Sequence, residues 1–256
     1  MYSKTVLITG STSGIGLGIA IEFAREGYSI AFNGLELYGY EIAEKIGQEF
    51  DVRTMYYQSD LTDMKQVEEM ILKIESDFEK IDVLVNNAGI QFVLPVENFP
   101  IEKWNAVIQL NLSAVFGVSK FAWNTMKAKN FGRIINIASA HGVVASENKS
   151  AYVAAKHGVV GLTKVLALEG ATFGITVNAI CPGYVRTPLV QKQIVDHAKT
   201  HGISEDEVIS TILLQKHAIK EFVTSESIGK LAVFLASDAA NLITGTSIPV
   251  DGGWVA

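Results

Sequence analysis

The chain has 256 residues, 48% of them apolar and 19% charged, with a formal net charge of −6 and a single cysteine, Cys181. That length and apolar share predict one α/β domain over 1–256 with a sizeable core, and they exclude a disordered chain. The acidic balance without any Lys/Arg block argues against nucleic acid or an anionic membrane as partner, and a lone cysteine excludes an internal disulfide.

The N-terminus, Met-Tyr-Ser-Lys, runs straight into a strand-like stretch. No apolar segment reads as a signal peptide or membrane span, so a cytoplasmic protein without a membrane is expected. Residues 5–9 (T-V-L-I-T) are a β-branched apolar run of the kind that forms a buried parallel strand. Gly10, Gly14 and Gly16 follow, then a helical pattern to about residue 25. Strand, glycine turn and helix make the setting in which backbone N–H groups cradle a pyrophosphate at a helix N-terminus. The spacing is G-x-x-x-G-x-G, not the more familiar G-x-G-x-x-G.

Residues 29–33 read as the second strand, whose end meets the adenosine ribose of a dinucleotide. No Arg or Lys stands at 11–13 or 34–38 to pair a 2′-phosphate, which favours NAD over NADP. The acidic residue usual at that strand end is replaced by Asn33 and Gly34, with Glu36 close by. A helix over 41–50, a strand over 53–58 and a helix over 65–78 follow. Asp60 and Leu61 come after the third strand, where an adenine amine is met, and Asp60 reads equally as a turn or helix cap.

The fourth strand, 83–86, leads into Asn87, Ala88 and Gly89, small enough to let a cofactor pass. Asn111 is a polar amide inside a helical stretch, where it is unexpected. The fifth strand, 132–138, ends at Ser139, on the side of a parallel sheet where sites form. The sixth, 175–180, ends in Cys181, Pro182 and Gly183. Residues 187–220 are more polar and lose the alternation, which predicts two short helices forming a lid. A helix over 225–236 and a strand over 247–250 complete the chain, with no repeat, linker or metal-ligand spacing.

The chemistry concentrates between Ser139 and Lys156. Tyr152 and Lys156 form Y-x-x-x-K, which puts both side chains on one helix face, one turn apart. A phenol with a pKa of about 10 is a poor base at neutral pH, and a nearby ammonium lowers that value. Ser139 can then hydrogen-bond a reacting oxygen while Tyr152 moves its proton.

Taken in order, Thr9, Gly10, Gly14 and Gly16, then Asn86, Asn87, Ala88 and Gly89, then Ser139, Tyr152 and Lys156, then Cys181, Pro182 and Gly183 resemble the short-chain dehydrogenase/reductase family over the whole chain. The resemblance implies a Rossmann fold with a doubly wound seven-stranded parallel sheet, assembled as a homotetramer. It implies a catalytic tetrad of Asn111, Ser139, Tyr152 and Lys156, with Asn111 holding the water that connects Lys156 to solvent. It also implies a nicotinamide cofactor, NAD, held by Gly10, Thr12, Gly14, Ile15, Gly16, Leu35, Asp60, Leu61, Asn87, Ala88, Gly89, Tyr152, Lys156, Pro182, Gly183, Val185 and Thr187.

Within that family the runs at 87–91, 139–142, 148–152, 187–193 and 251–254 resemble bacterial D-3-hydroxybutyrate dehydrogenases. That closer resemblance implies that Gln91, His141, Lys149 and Gln193 hold a substrate carboxylate, a small anion that needs charge-assisted, directed donors. Tyr184 stands where many members carry Trp beside the substrate methyl, and Trp254 is the second candidate to bound that end. Lys216, His217 and Ala218 replace the usual Lys-Gln-Pro. The activity implied is interconversion of (R)-3-hydroxybutyrate and acetoacetate. The alternatives are a 3-oxoacyl thioester reductase, whose substrate leaves Lys149, His141 and Gln193 without a charged partner, and a non-catalytic nucleotide-sensing module, which has no use for a tetrad.

Overall fold

The structure, a computed structural model, describes residues 3–256; Met1 and Tyr2 of the N-terminal run lie outside the described residues. Seven strands form one parallel sheet in the order β3-β2-β1-β4-β5-β6-β7. They are β1 (Thr5–Ile8), β2 (Ser29–Gly34), β3 (Thr54–Gln58), β4 (Val83–Asn86), β5 (Gly132–Ile137), β6 (Ile175–Pro182) and β7 (Ser247–Val250). The central strands β1, β2, β4, β5 and β6 are buried at every position because both sheet faces are covered, and most of their residues are apolar.

Along β1 the side chains divide by period two. Val6 and Ile8 join one core with α1 (Gly14–Arg25), α2 (Gly39–Phe50) and Ile228, Ala232 and Leu235 of the last long helix, Ser225–Ala236. Leu7 faces the other core, with α3 (Met64–Phe78), the helix Ala114–Ala128 and the helix Ser150–Gly170. In chain order the remaining helices are α4 (Ile101–Ile108), α5 (Ala114–Ala128), α6 (Ser150–Gly170), α7 (Pro188–His201), α8 (Glu205–Val208) and α9 (Ser225–Ala236). The strand order reverses between β1 and β4, so the crevice for a ligand opens above their C-terminal ends.

Two expectations need correction. The stretches Ile101–Ala128 and Ser150–Phe173 are long and apolar enough to cross a membrane by length and composition. Here they lie on the sheet, with Val118, Ala122, Met126, Leu166 and Ala167 buried in the core beneath it, so the apolarity serves packing. The helical stretch around Asn111 is also not a plain α-helix: a π-turn, Gln109–Ser113, joins α4 to α5.

The segment after β6 folds as α7, α8 and a second π-turn, Ile209–Leu213. It has a small core of its own, in which Val190, Ile194, Val208 and Leu213 meet. Its two ends are joined by a Val185–Val223 bridge, with the Val223 N–H donating to the Tyr184 carbonyl at 2.9 Å.

Candidate active site

Above the strand reversal runs an open groove of about 550 Å³. Its floor is fixed by Thr9 and Asn87. Thr9 Oγ1 accepts from the N–H groups of Asn87 and Ala88 at 2.9 and 3.1 Å, and Asn87 Nδ2 donates to the carbonyls of Thr9 and Gly10, both at 2.9 Å. Gly10 has φ +60°, and a Cβ there would sit 2.9 Å from the Ala88 backbone. α1 begins with Ser13 as its N-cap, and no side chain caps the helix, leaving its first-turn N–H groups for an anion.

At the far end Glu36 settles the place left open by the sequence. Its carboxylate accepts from Thr12 Oγ1 at 3.0 Å and from the Leu35 N–H at 3.2 Å. The negative charge at the end of β2 is therefore supplied three residues beyond Asn33, a position the strand-end rule does not single out. Asp60 makes the expected turn, accepting from the N–H and Oγ1 of Thr62 at 2.9 and 2.7 Å, and also lines the groove.

Most residues expected to touch a cofactor line this groove, from Gly10 through Thr187. Four do not. Gly16 is turned against the chain, where a Cβ would lie 2.2 Å from the Gly10 carbonyl oxygen. Pro182 is the buried last residue of β6. Gly183 and Val185 line an adjoining cavity instead.

That second cavity, about 110 Å³, brings together Ser139, Tyr152, Gln91, His141, Lys149, Tyr184, Gln193 and Trp254, residues drawn from six separate parts of the chain. Ser139 ends the run of β5, and its Oγ accepts from the His141 N–H at 3.1 Å. The buried His141 ring bonds Ser146 Oγ through Nε2 at 3.0 Å and stands edge-on to Trp254 at 4.9 Å. Burial, and then the charge of Lys149, hold its pKa down to about 3, so the imidazole is neutral.

Lys149 caps the N-terminus of α6, and its Nζ donates to the Tyr184 hydroxyl at 3.4 Å. Burial, with Lys216 nearby, lowers its pKa to about 8. Gln193 on α7 donates through Nε2 to Gln91 Oε1 at 3.1 Å. Gln91 Nε2 is buried with no partner among the described residues, a free donor in the cavity wall.

Asn111 is fully buried at the π-turn and spends both amide atoms on Ile90: Oδ1 accepts from its N–H and Nδ2 donates to its carbonyl, each at 2.9 Å. The side chain therefore clamps the chain where it leaves β4, using one of the two Nδ2 hydrogens and one Oδ1 lone pair. Lys156 lies beneath Tyr152, 5.7 Å from the ring centroid, with Nζ donating to the Ile137 carbonyl at 2.8 Å.

At the phenol two influences oppose each other. Burial pushes the Tyr152 pKa up, against the pull of its hydrogen bond with Ser139. Lys156 is itself drawn down to about 8 by burial. Its ammonium is engaged by the Ile137 carbonyl, and burial is the leading influence on the phenol.

A family model described as enoyl-(acyl carrier protein) reductase matches residues 10–255. A D-beta-hydroxybutyrate dehydrogenase of Rhizobium meliloti is 48% identical, covering 99% of this chain and 99% of its own. One from Cupriavidus necator is 49% identical, covering 100% of this chain and 99% of its own. Among solved structures, an actinorhodin polyketide ketoreductase with NADPH superposes with a TM-score of 0.94 at 32% identity, covering 99% of this chain and 97% of its own.

Proposed function

We infer the reaction from one premise: the chain belongs to the short-chain dehydrogenase/reductase family and is an oxidoreductase that works with a nicotinamide cofactor. The reading is an NAD-linked D-3-hydroxybutyrate dehydrogenase, interconverting (R)-3-hydroxybutyrate and acetoacetate. One observation carries it. Lys149, the unpartnered Gln91 amide, Gln193 and His141 converge on a cavity of about 110 Å³ that also holds Ser139 and Tyr152. A charged and a directed donor beside a proton-transfer pair suit a small acid whose carboxylate lies two carbons from the reacting carbon.

The groove suits a dinucleotide. Gly10 and Gly14 keep the turn free of side chains, the uncapped α1 N-terminus offers N–H groups to the pyrophosphate, and Glu36 meets a ribose diol. The same carboxylate repels a 2′-phosphate, which favours NAD. When bound, this cofactor supplies hydride acceptor and donor chemistry at C3.

The chain supplies the rest. The Ser139 hydroxyl holds the C3 oxygen. Tyr152 takes the hydroxyl proton during oxidation and returns it during reduction; with its pKa raised, it stands protonated at neutral pH, ready as the acid. Lys156 and Asn111, the other two members of the tetrad that the family resemblance implies, form the inner end of a proton path. Segment 187–220 acts as the lid, seated by the Gln193–Gln91 bond. Exposed Ile101, Trp104, Phe116 and Leu168 suit burial between subunits of a homotetramer.

The competing thioester reductase leaves the Lys149 ammonium without its counter-charge. Absorbance at the NADH band with 3-hydroxybutyrate, its methyl ester and a CoA thioester tests the reading. Turnover of the free acid well above both neutral forms is expected, and preference for either neutral form overturns it.

A further inference from the structure

We propose that His217 is a positioning residue that sets the length of hydroxy acid accepted, acting through the two rings that close the substrate cavity. The proposal rests on the reading of that cavity as a short-acid site.

His217 follows the second π-turn of the lid segment and is 1% exposed. It does not line the cavity, but both of its ring neighbours do. Its imidazole stacks on Tyr184 at 6.0 Å and 25°, and on Trp254 at 5.6 Å and 28°. Tyr184 and Trp254 stack on each other at 5.5 Å and 3°. The three rings thus form a closed triangle, with His217 at the corner away from the substrate.

Main chain closes in behind His217 at two glycines. A Cβ at Gly183 would stand 3.0 Å from its Cε1, and one at Gly252 would stand 3.1 Å from its Nδ1. The loops carrying those glycines are tied together. The Gly183 N–H donates to the Val250 carbonyl at 2.9 Å, and the N–H groups of Ala218 and Ile219 both donate to the Gly252 carbonyl at 2.8 and 2.9 Å. The imidazole is a wedge between a fixed backbone wall and the aromatic pair, and neither ring has room to retreat while it is there.

The wedge is used for its shape. Neither ring nitrogen bonds another side chain among the described residues, and the polar groups that act on the imidazole, the Asp251 carboxylate and the Glu221 main chain, do not line the cavity. What the ring provides is a flat plate that stacks on two others. The two departures read from the sequence, Tyr184 and His217, are in contact with each other. A six-membered ring at 184 in place of an indole leaves slack in the wall, and a ring at 217 takes it up.

The test is chain-length selectivity. The parent, His217→Ala and His217→Phe are assayed with NAD and the (R)-3-hydroxy acids of butyrate, pentanoate and hexanoate, after thermal melts establish that each variant is folded. One methylene in an apolar pocket is worth ~10–200-fold in kcat/KM. His217→Ala should raise the pentanoate-to-butyrate ratio at least about tenfold, chiefly through a higher KM for butyrate. His217→Phe, which restores the plate without nitrogens, should keep the ratio within about threefold of the parent. An Ala variant that loses both activities by one common factor, or a Phe variant that shifts the ratio as far as Ala, overturns the proposal. Should His217→Ala not fold, His217→Leu, which fills the space without stacking, takes its place with the same expected direction. A parent that turns over none of the acids refutes the substrate reading and this proposal with it; a parent active on butyrate with an unchanged ratio in the variant refutes this proposal alone.

Discussion

Lys149→Ala is the sharpest test of the acid site. The ammonium is half-buried at the cap of α6, and its one hydrogen bond, to Tyr184 at 3.4 Å, is long. Most of its desolvation is already suffered in the free enzyme, since burial has lowered its pKa from 10.5 to about 8. At pH 7 about nine-tenths of it still carries the proton. A carboxylate at roughly 3 Å in an effective dielectric of about 20 gains about 5 kcal/mol of gross attraction. Ordering the acid and stripping water from its carboxylate offset part of this, so loss of the ammonium should cost about 2–4 kcal/mol in kcat/KM. That is a fall of roughly 30- to 1000-fold, mostly in KM. The methyl ester carries no charge to lose, so its kcat/KM should change much less. The assay is a double comparison, acid against ester in parent and variant. As pH rises above about 8 the Lys149 proton leaves, so the parent's preference for the acid should fade there. An equal loss for acid and ester in the variant, or a parent preference that persists unchanged well above pH 8, refutes the carboxylate reading.

Three further outcomes are expected. Tyr152→Phe should bind NADH nearly as the parent does, by fluorescence titration, and lose at least about a hundredfold in turnover, because the proton carrier is gone; a loss of only a few-fold removes Tyr152 from that role. NAD should be preferred over NADP by at least about tenfold in kcat/KM, and Glu36→Ala should narrow the gap by removing the carboxylate that a 2′-phosphate meets; equal use of both cofactors by the parent sinks this. Stability should fall as pH drops below about 6.5 and keep falling toward about 3, because the unfolded chain protonates His141 at its ordinary value while the folded chain resists it; urea midpoints at pH 7, 5 and 4 measure the slope, and a His141→Asn variant with an equally steep slope assigns it elsewhere.

The strands were legible because the covered sheet favours short, mostly apolar runs, and 29–33, 83–86 and 132–138 each supply one around Ile30–Phe32, Val83–Val85 and Ile134–Ile137. The glycine turn was legible because glycine adopts the left-handed φ of Gly10 and Gly14 at the least cost, and at Gly10 a Cβ would also meet the Ala88 backbone. What escaped was set by three-dimensional approach. A π-turn inserts one residue into a helix whose side-chain pattern still looks helical, so Asn111 gave only the hint of an amide out of place. The Tyr152 pKa followed from how fully the phenol is desolvated and from where Lys156 Nζ finds its carbonyl, neither of which a four-residue spacing encodes. Glu36 lies beyond the strand end where an acidic residue is sought, and the turn at 34–36 folds it back onto Thr12. The residues proposed to bind the acid come from distant stretches that meet only in the fold, with Gln193 brought to the others by α7.

The π-turn explains more than the placement of one amide. By clamping the Ile90 N–H and carbonyl, Asn111 fixes the chain between two functions. On one side of Ile90 lies Gly89, in the wall of the groove, where a Cβ would come within 3.2 Å of Asn111 Oδ1. On the other lies Gln91, whose Oε1 receives the Gln193 bond from the lid and whose Nε2 awaits a partner. The groove wall and Gln91 are therefore joined through a single residue held at both its N–H and its carbonyl. A joint of this kind requires that the clamp use both amide atoms: an Asp in its place keeps the acceptor and loses the donor, and a Leu loses both. An amide disfavours helix interiors, and this one is tolerated in a buried turn because both of its atoms are satisfied by the Ile90 main chain.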